Sequence, residues 1–88
     1  MAPDQPSLFV GLANQYRQAG RLAEAQAAYE KALTLDLNNV EALLSLGEIR
    51  LAAGQIEWTR LLAERALRLD PQNARAHALV GRLQEVER

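Results

Sequence analysis

There is no cysteine in these 88 residues, a single histidine, and only one each of tryptophan, phenylalanine and methionine. Without cysteine there is neither a disulfide nor a thiolate metal site, although that absence fits reducing and oxidising compartments alike. With His77 as the one imidazole, a catalytic base would need a carboxylate or nucleophile beside it, and no local pattern supplies one. No His-x-x-x-His pair, acidic calcium loop or glycine-rich phosphate loop occurs. A charge excess is also missing. Residues 1–54 carry four basic and six acidic side chains, residues 55–88 six and five, for a formal total of −1. Neither half is a basic arm, so bulk electrostatic capture of nucleic acid is not expected. No apolar run approaches the ~20 residues of a membrane span. The opening Met1-Ala2-Pro3-Asp4-Gln5-Pro6 has no basic segment and no apolar run for secretion. A complete chain would therefore be cytoplasmic, whereas a piece of a longer protein carries no such information.

What is present is alanine and leucine. They dominate an apolar fraction of 49%, while β-branched and aromatic residues are scarce, a composition that favours helix over sheet. The chain also repeats. A shift of 34 positions brings Leu12 onto Leu46, Gly20 onto Gly54, and Ala32-Leu33 onto Ala66-Leu67. The same shift brings Leu35-Asp36 onto Leu69-Asp70, and Asn39 onto Asn73. A unit this short cannot close a core alone and must stack on its copies.

Gly20, Leu37-Asn38-Asn39, Gly54 and Pro71-Gln72-Asn73 divide the chain into five segments of helical periodicity. The first helix is expected from about Ser7 to Ala19, with Leu8, Phe9, Leu12 and Tyr16 on one side, Pro6 in the first turn and Gly20 as a left-handed terminus. The second runs from about Leu22 to Leu35 and shows a stripe of Leu22, Ala25, Tyr29, Ala32 and Leu33. Asn38 with Glu41 reads as a capping box opening the third, whose stripe is Leu43, Leu46, Gly47 and Arg50. The fourth runs from about Ile56 to Leu69, and the fifth from Ala74 to the end at Arg88. Short loops make neighbouring helices antiparallel.

These residues resemble tetratricopeptide repeats, whose pattern is a large aromatic, Leu-Gly and Tyr on the first helix, then Ala, an aromatic, Ala and Pro on the second. Residues 6–39 match with Phe9, Leu12-Ala13, Tyr16, Ala25, Tyr29 and Ala32. Residues 40–73 keep Leu43, Leu46-Gly47, Ala66 and Pro71, and residues 74–88 keep His77, Val80 and Gly81 in one last helix. Ala2-Pro3 stands where a closing Asp-Pro would precede a repeat. The implied fold is all-α: one domain over residues 1–88, two helical hairpins and a terminal helix in a right-handed solenoid. His77 falls at the large-aromatic position, where a core ring with one hydrogen bond is expected. The departures are Leu37 for Pro, a less firmly punctuated turn; Arg50 for Tyr; Thr59 for Ala; and Ala63 for the second aromatic. Trp58, Leu61 and Leu62 are candidates to fill the lost ring volume.

The resemblance implies a non-enzymatic interaction module with no cofactor and no metal, binding a protein or peptide on the concave face lined by the first helix of each repeat. Carried over, that face comprises Val10, Asn14, Arg17 and Gln18; Leu44, Ser45, Glu48 and Leu51; and Arg75, Ala78, Leu79 and Arg82, with Leu44 and Leu51 as apolar contacts. Chaperone-binding members clamp a C-terminal carboxylate at positions matching Val10, Asn14, Ser45, Arg75 and Leu79. Only Asn14 keeps the family residue and Arg75 the charge, so carboxylate capture is not expected. The alternative is self-association, either through Trp58, Leu61 and Leu62 or through the fifth helix, where Leu79, Leu83 and Val86 would be left wet. The weak turn at Leu37 would also permit helices to exchange between chains. A third reading is an accessory segment of a larger enzyme or secretion factor. Neither nucleic acid nor membrane is expected as a partner.

Overall fold

A computed structural model describes residues 5–87, and every described element is an α-helix. Ala2-Pro3 and Arg88 lie outside that range. The helices are α1 (Pro6–Gln18), α2 (Leu22–Leu35), α3 (Val40–Ala52), α4 (Ile56–Leu69) and α5 (Ala74–Val86), joined by connections of three or four residues. The molecule is a slab of 46 × 28 × 18 Å, as a serial stack requires. α1 packs on α2 and α3 on α4, while α3 also meets α2 and α5, and α5 also meets α4. One layer is therefore α1, α3 and α5, and the other is α2 and α4.

The turns explain where each helix stops. Gly20 and Gly54 both have φ near +79°, which only glycine adopts without strain. Each lets the next amide fold back: Arg21 N–H donates to Tyr16 O at 2.8 Å and Gln55 N–H to Arg50 O at 2.9 Å, satisfying carbonyls the helix end would otherwise leave unpaired. The turns after α2 and α4 also match each other. Asn39 N–H donates to Asp36 O at 3.2 Å and Asn73 N–H to Asp70 O at 3.1 Å. The helix caps are Asn39 and Asn73, whose side chains accept from Ala42 N–H and Ala76 N–H, each at 3.0 Å. The expected capping box from Asn38 to Glu41 does not form. Asn38 lies one residue too early and its N–H donates instead to Asp36 Oδ1. The turn holding Leu37 keeps the hydrogen-bond pattern of its proline-bearing counterpart. It has the same backbone bond and is tied to α4, where Arg65 donates to Leu37 O and to Asn38 Oδ1.

The core lies between the layers. Ala25, Ala28 and Ala32 flank buried Tyr29 on α2, and their small size allows close helix approach. α3 is central and is buried on more than one side, from Ala42 through Gly47 and again at Ile49 and Leu51. The spacing indicated one stripe on α3, but neighbours on either side bury nearly all of it. On α1 the buried residues are Val10 and Ala13, while Leu8 and Leu12 face solvent, because α1 packs mainly on α2. Leu79 and Leu83 of α5 are buried and Val86 alone of the expected wet trio is exposed. Arg60 of α4 pairs with Glu87 across the end of that helix. Thr59, also fully buried, donates its hydroxyl to Gln55 O at 2.9 Å, so the polar substitution in α4 leaves no unmet donor.

Candidate functional site

The α1–α3–α5 face is polar, and its side chains bind helix to helix. Glu48 sits at the centre. Its Oε1 accepts from Arg17 Nη2 of α1 at 2.6 Å and from Arg75 Nη2 of α5 at 3.2 Å. Arg75 also reaches Ser45 Oγ at 3.3 Å. Burial disfavours the Glu48 carboxylate and is its largest single influence, yet the Arg17 hydrogen bond and the Arg75 charge together hold its pKa below the ordinary value. Burial likewise works against the Arg17 guanidinium, and the hydrogen bond and charge from Glu48 together with those from Tyr29 outweigh it, raising its pKa. Asn14 completes the row. Its Nδ2 donates to Glu41 Oε2 at 3.2 Å, and its Oδ1 accepts from the Tyr29 hydroxyl. Asn14, Arg17 and Gln18 line an open groove of about 440 Å³.

Of the residues expected to line this face, Asn14, Arg17, Gln18, Glu48, Arg75, Ala78 and Arg82 are exposed or half-buried. Leu44 and Leu51 are not available as apolar contacts, being 1% and 8% exposed. They belong to the core because α3 is covered on both flanks. Ser45 of α3 is buried for the same reason, while Val10 of α1 and Leu79 of α5 are buried where those helices pack on their own neighbours. Glu41 was missed. It stands seven residues, two helical turns, before Glu48, and that spacing would have placed both on one face.

The other layer carries a second depression of about 250 Å³, lined by Glu30, Leu33, Thr34, Leu37, Leu46, Arg50, Trp58 and Leu62. Arg50 supports it from α3. It pairs with Glu30 Oε2 at 2.6 Å and Gln55 Oε1 at 2.7 Å, and its guanidinium lies 4.8 Å from the Trp58 ring centroid, a cation–π contact. Its Nε is buried with no partner. This Arg–Trp pair stands where the family pattern has tyrosine. Trp58 and Leu61 are exposed, and of the three expected fillers only Leu62 enters the core. His77 is likewise exposed rather than core-filling, its Nε2 within 2.7 Å of Pro71 O. Among the described residues no group of three His, Cys, Asp or Glu is placed to hold a metal ion, and no helix is long and apolar enough to cross a membrane.

The model of the tetratricopeptide repeat matches residues 16–83. The first tetratricopeptide-repeat domain of Spaghetti (RPAP3), solved bound to the HSP90 peptide SRMEEVD, superimposes with a TM-score of 0.88 at 25% identity, over 96% of this chain and 67% of that one. The protein O-mannosyl-transferase TMTC1 of Mus musculus is 35% identical over 81 residues, which are 92% of this chain and 9% of that protein. Cellulose synthase operon protein C of Komagataeibacter xylinus is 44% identical over 66 residues, 72% of this chain and 5% of that protein. The chain thus spans less than a tenth of these curated relatives. Five antiparallel helices in two layers, 34-residue spacing and a family match over most of the sequence agree: the chain belongs to the tetratricopeptide repeat family.

Proposed function

We propose that this chain is a non-catalytic interaction module that holds an extended stretch of a partner polypeptide along the α1–α3–α5 face. The observation that carries this reading is the Arg17–Glu48–Arg75 row, which fixes charged side chains of three separate helices in one line. Side chains already ordered lose little entropy when a partner arrives. The face carries cations at Arg17, Arg75 and Arg82 and anions at Glu41, Glu48 and, by the same helical spacing, Glu85, so it has no net charge and suits a partner of mixed polarity whose acidic groups meet Arg75 and Arg82. The Spaghetti domain with its bound peptide supports a peptide partner for this fold. Selection of a free C-terminal carboxylate is not part of the proposal. Asn14 spends both ends of its amide on Glu41 and Tyr29, and two other clamp positions are the buried Val10 and Leu79. The similarity to the two longer proteins covers only a small part of each. It favours an adaptor segment within a larger protein and gives no ground for assigning their chemistry here.

The test is selection from a display library of unstructured peptides, followed by fluorescence anisotropy of the best sequence. Arg75→Ser with Arg82→Ser leaves Glu48 paired to Arg17 and should weaken binding about tenfold or more. An amidated C-terminus should bind as well as a free one. Failure to select any peptide, or binding indifferent to the double substitution, would overturn the assignment.

A further inference from the structure

The α2–α4 face is independent of the peptide-binding reading and has no role in it. Leu37, Trp58 and Leu61 are 64, 55 and 60% exposed there, at or beside the 250 Å³ depression floored by Leu33, Leu46 and Leu62. These three are large apolar side chains left more than half wet on one face of the molecule, and grouped exposed apolar side chains mark contact surfaces. The corresponding α4–α5 depression is not equivalent, because Arg60 and Glu87 pair across it.

We propose that this face is covered by a second copy of the chain, in a two-fold dimer whose axis crosses α4 near Leu61. The charge pattern along α4 favours a copy over an unrelated partner. Glu57 lies four residues before Leu61 and Arg65 four residues after it, each about one turn away. Antiparallel packing of α4 on its copy therefore sets Glu57 of each chain beside the partner's Arg65. Glu57 has a side chain 84% exposed, held only by Arg60 on its own helix. Arg65 uses Nε and Nη2 on Leu37 and Asn38, so Nη1 remains for the partner. The same operation brings Leu61 of each chain to the Trp58 ring and depression of the other, twice over, as an isologous interface requires. Arg50, bonded to Glu30 and Gln55, keeps the Trp58 ring backed and in place. A standard interface takes ~800 Å² from each partner. Three apolar side chains from each copy fall short of the roughly 20–30 residues a side of such an interface, so the dimer is weak and reversible.

Sedimentation equilibrium of the 88-residue chain over ~10–300 µM reads this directly. The expected result is a monomer–dimer equilibrium with a micromolar constant. Leu61→Asp should give monomer at every concentration with an unchanged circular dichroism spectrum. Glu57→Arg sets an arginine beside the partner's Arg65 and should weaken the dimer about tenfold at low salt, with the loss shrinking at high salt. Glu57→Gln should weaken it less, and Arg65 itself is left in place because it ties the Leu37 turn. Arg75→Ser with Arg82→Ser should leave the mass unchanged. Monomer mass throughout, a dimer indifferent to Leu61→Asp, or a dimer indifferent to Glu57→Arg at low salt would overturn the proposal. Capture of a foreign helix by a chain that stays monomeric would do so too.

Discussion

Gly47 of α3 and Leu79 of α5 should be energetically coupled, and a double-mutant cycle measures by how much. A Cβ added at Gly47 would lie 2.9 Å from Leu79 Cδ2 and 3.7 Å from Leu62 Cβ. The missing side chain is thus the space into which α5 docks on α3. Gly47→Ala gains about 0.8–1.0 kcal/mol of helix propensity. Against that stands overpacking, which costs about 1–3 kcal/mol in a close-packed core. The nearest atom ends a flexible side chain, so the cost should fall at the low end. The net effect in the native background is therefore between neutral and about 2 kcal/mol destabilising. Leu79→Ala removes a buried side chain and should cost about 2–5 kcal/mol. In that background the clash is gone and Gly47→Ala should stabilise by about 1 kcal/mol. The coupling is then about 1–3 kcal/mol, well above the few tenths seen between independent sites. Urea unfolding followed by far-ultraviolet circular dichroism gives all four corners. Leu79→Val runs the same cycle at lower cost if the alanine variant is too unstable. An identical effect of Gly47→Ala in both backgrounds would refute the stated packing of α5.

Two further outcomes follow from the turns and the polar row. The folded pKa of Glu48 is depressed, so its contribution to stability is complete above the ordinary value near 4.5 and is lost as pH falls through the lower folded value. The urea midpoint of the native chain should therefore drop more steeply below pH 4.5 than that of Glu48→Gln, and parallel curves would contradict the row's role. Asn39→Ala and Asn73→Ala each remove one side-chain acceptor at a helix start. Each should cost about 1 kcal/mol in urea unfolding, and a neutral effect at both would show that these caps contribute nothing.

Much of the architecture was legible because it depends on local rules repeated at a fixed interval. Gly20 and Gly54 mark positive φ, Pro6 opens α1, and Asp36 and Asp70 close α2 and α4. The inner face was legible only in its polar members. Periodicity assigns a residue to a side of its own helix and is silent on how many neighbours that helix has. Leu44 and Leu51 were misplaced for that reason, since the central position of α3 buries several of its sides at once. Arg50 was unreadable for a different reason. Its partners Glu30, Gln55 and Trp58 come from α2, the α3–α4 turn and α4, and no single-helix spacing connects them. His77 was expected as a core ring by analogy of position, whereas it lies exposed with Nε2 2.7 Å from Pro71 O in the preceding turn.

The central claim is that a partner polypeptide lies along α1, α3 and α5. Amide chemical-shift mapping of the isotopically labelled chain with a selected peptide tests it most directly. The account predicts shifts concentrated at Asn14, Arg17, Gln18, Glu41, Glu48, Arg75, Ala78 and Arg82. Shifts centred instead on Leu37, Trp58 and Leu61, with the α1–α3–α5 face unmoved, would contradict it.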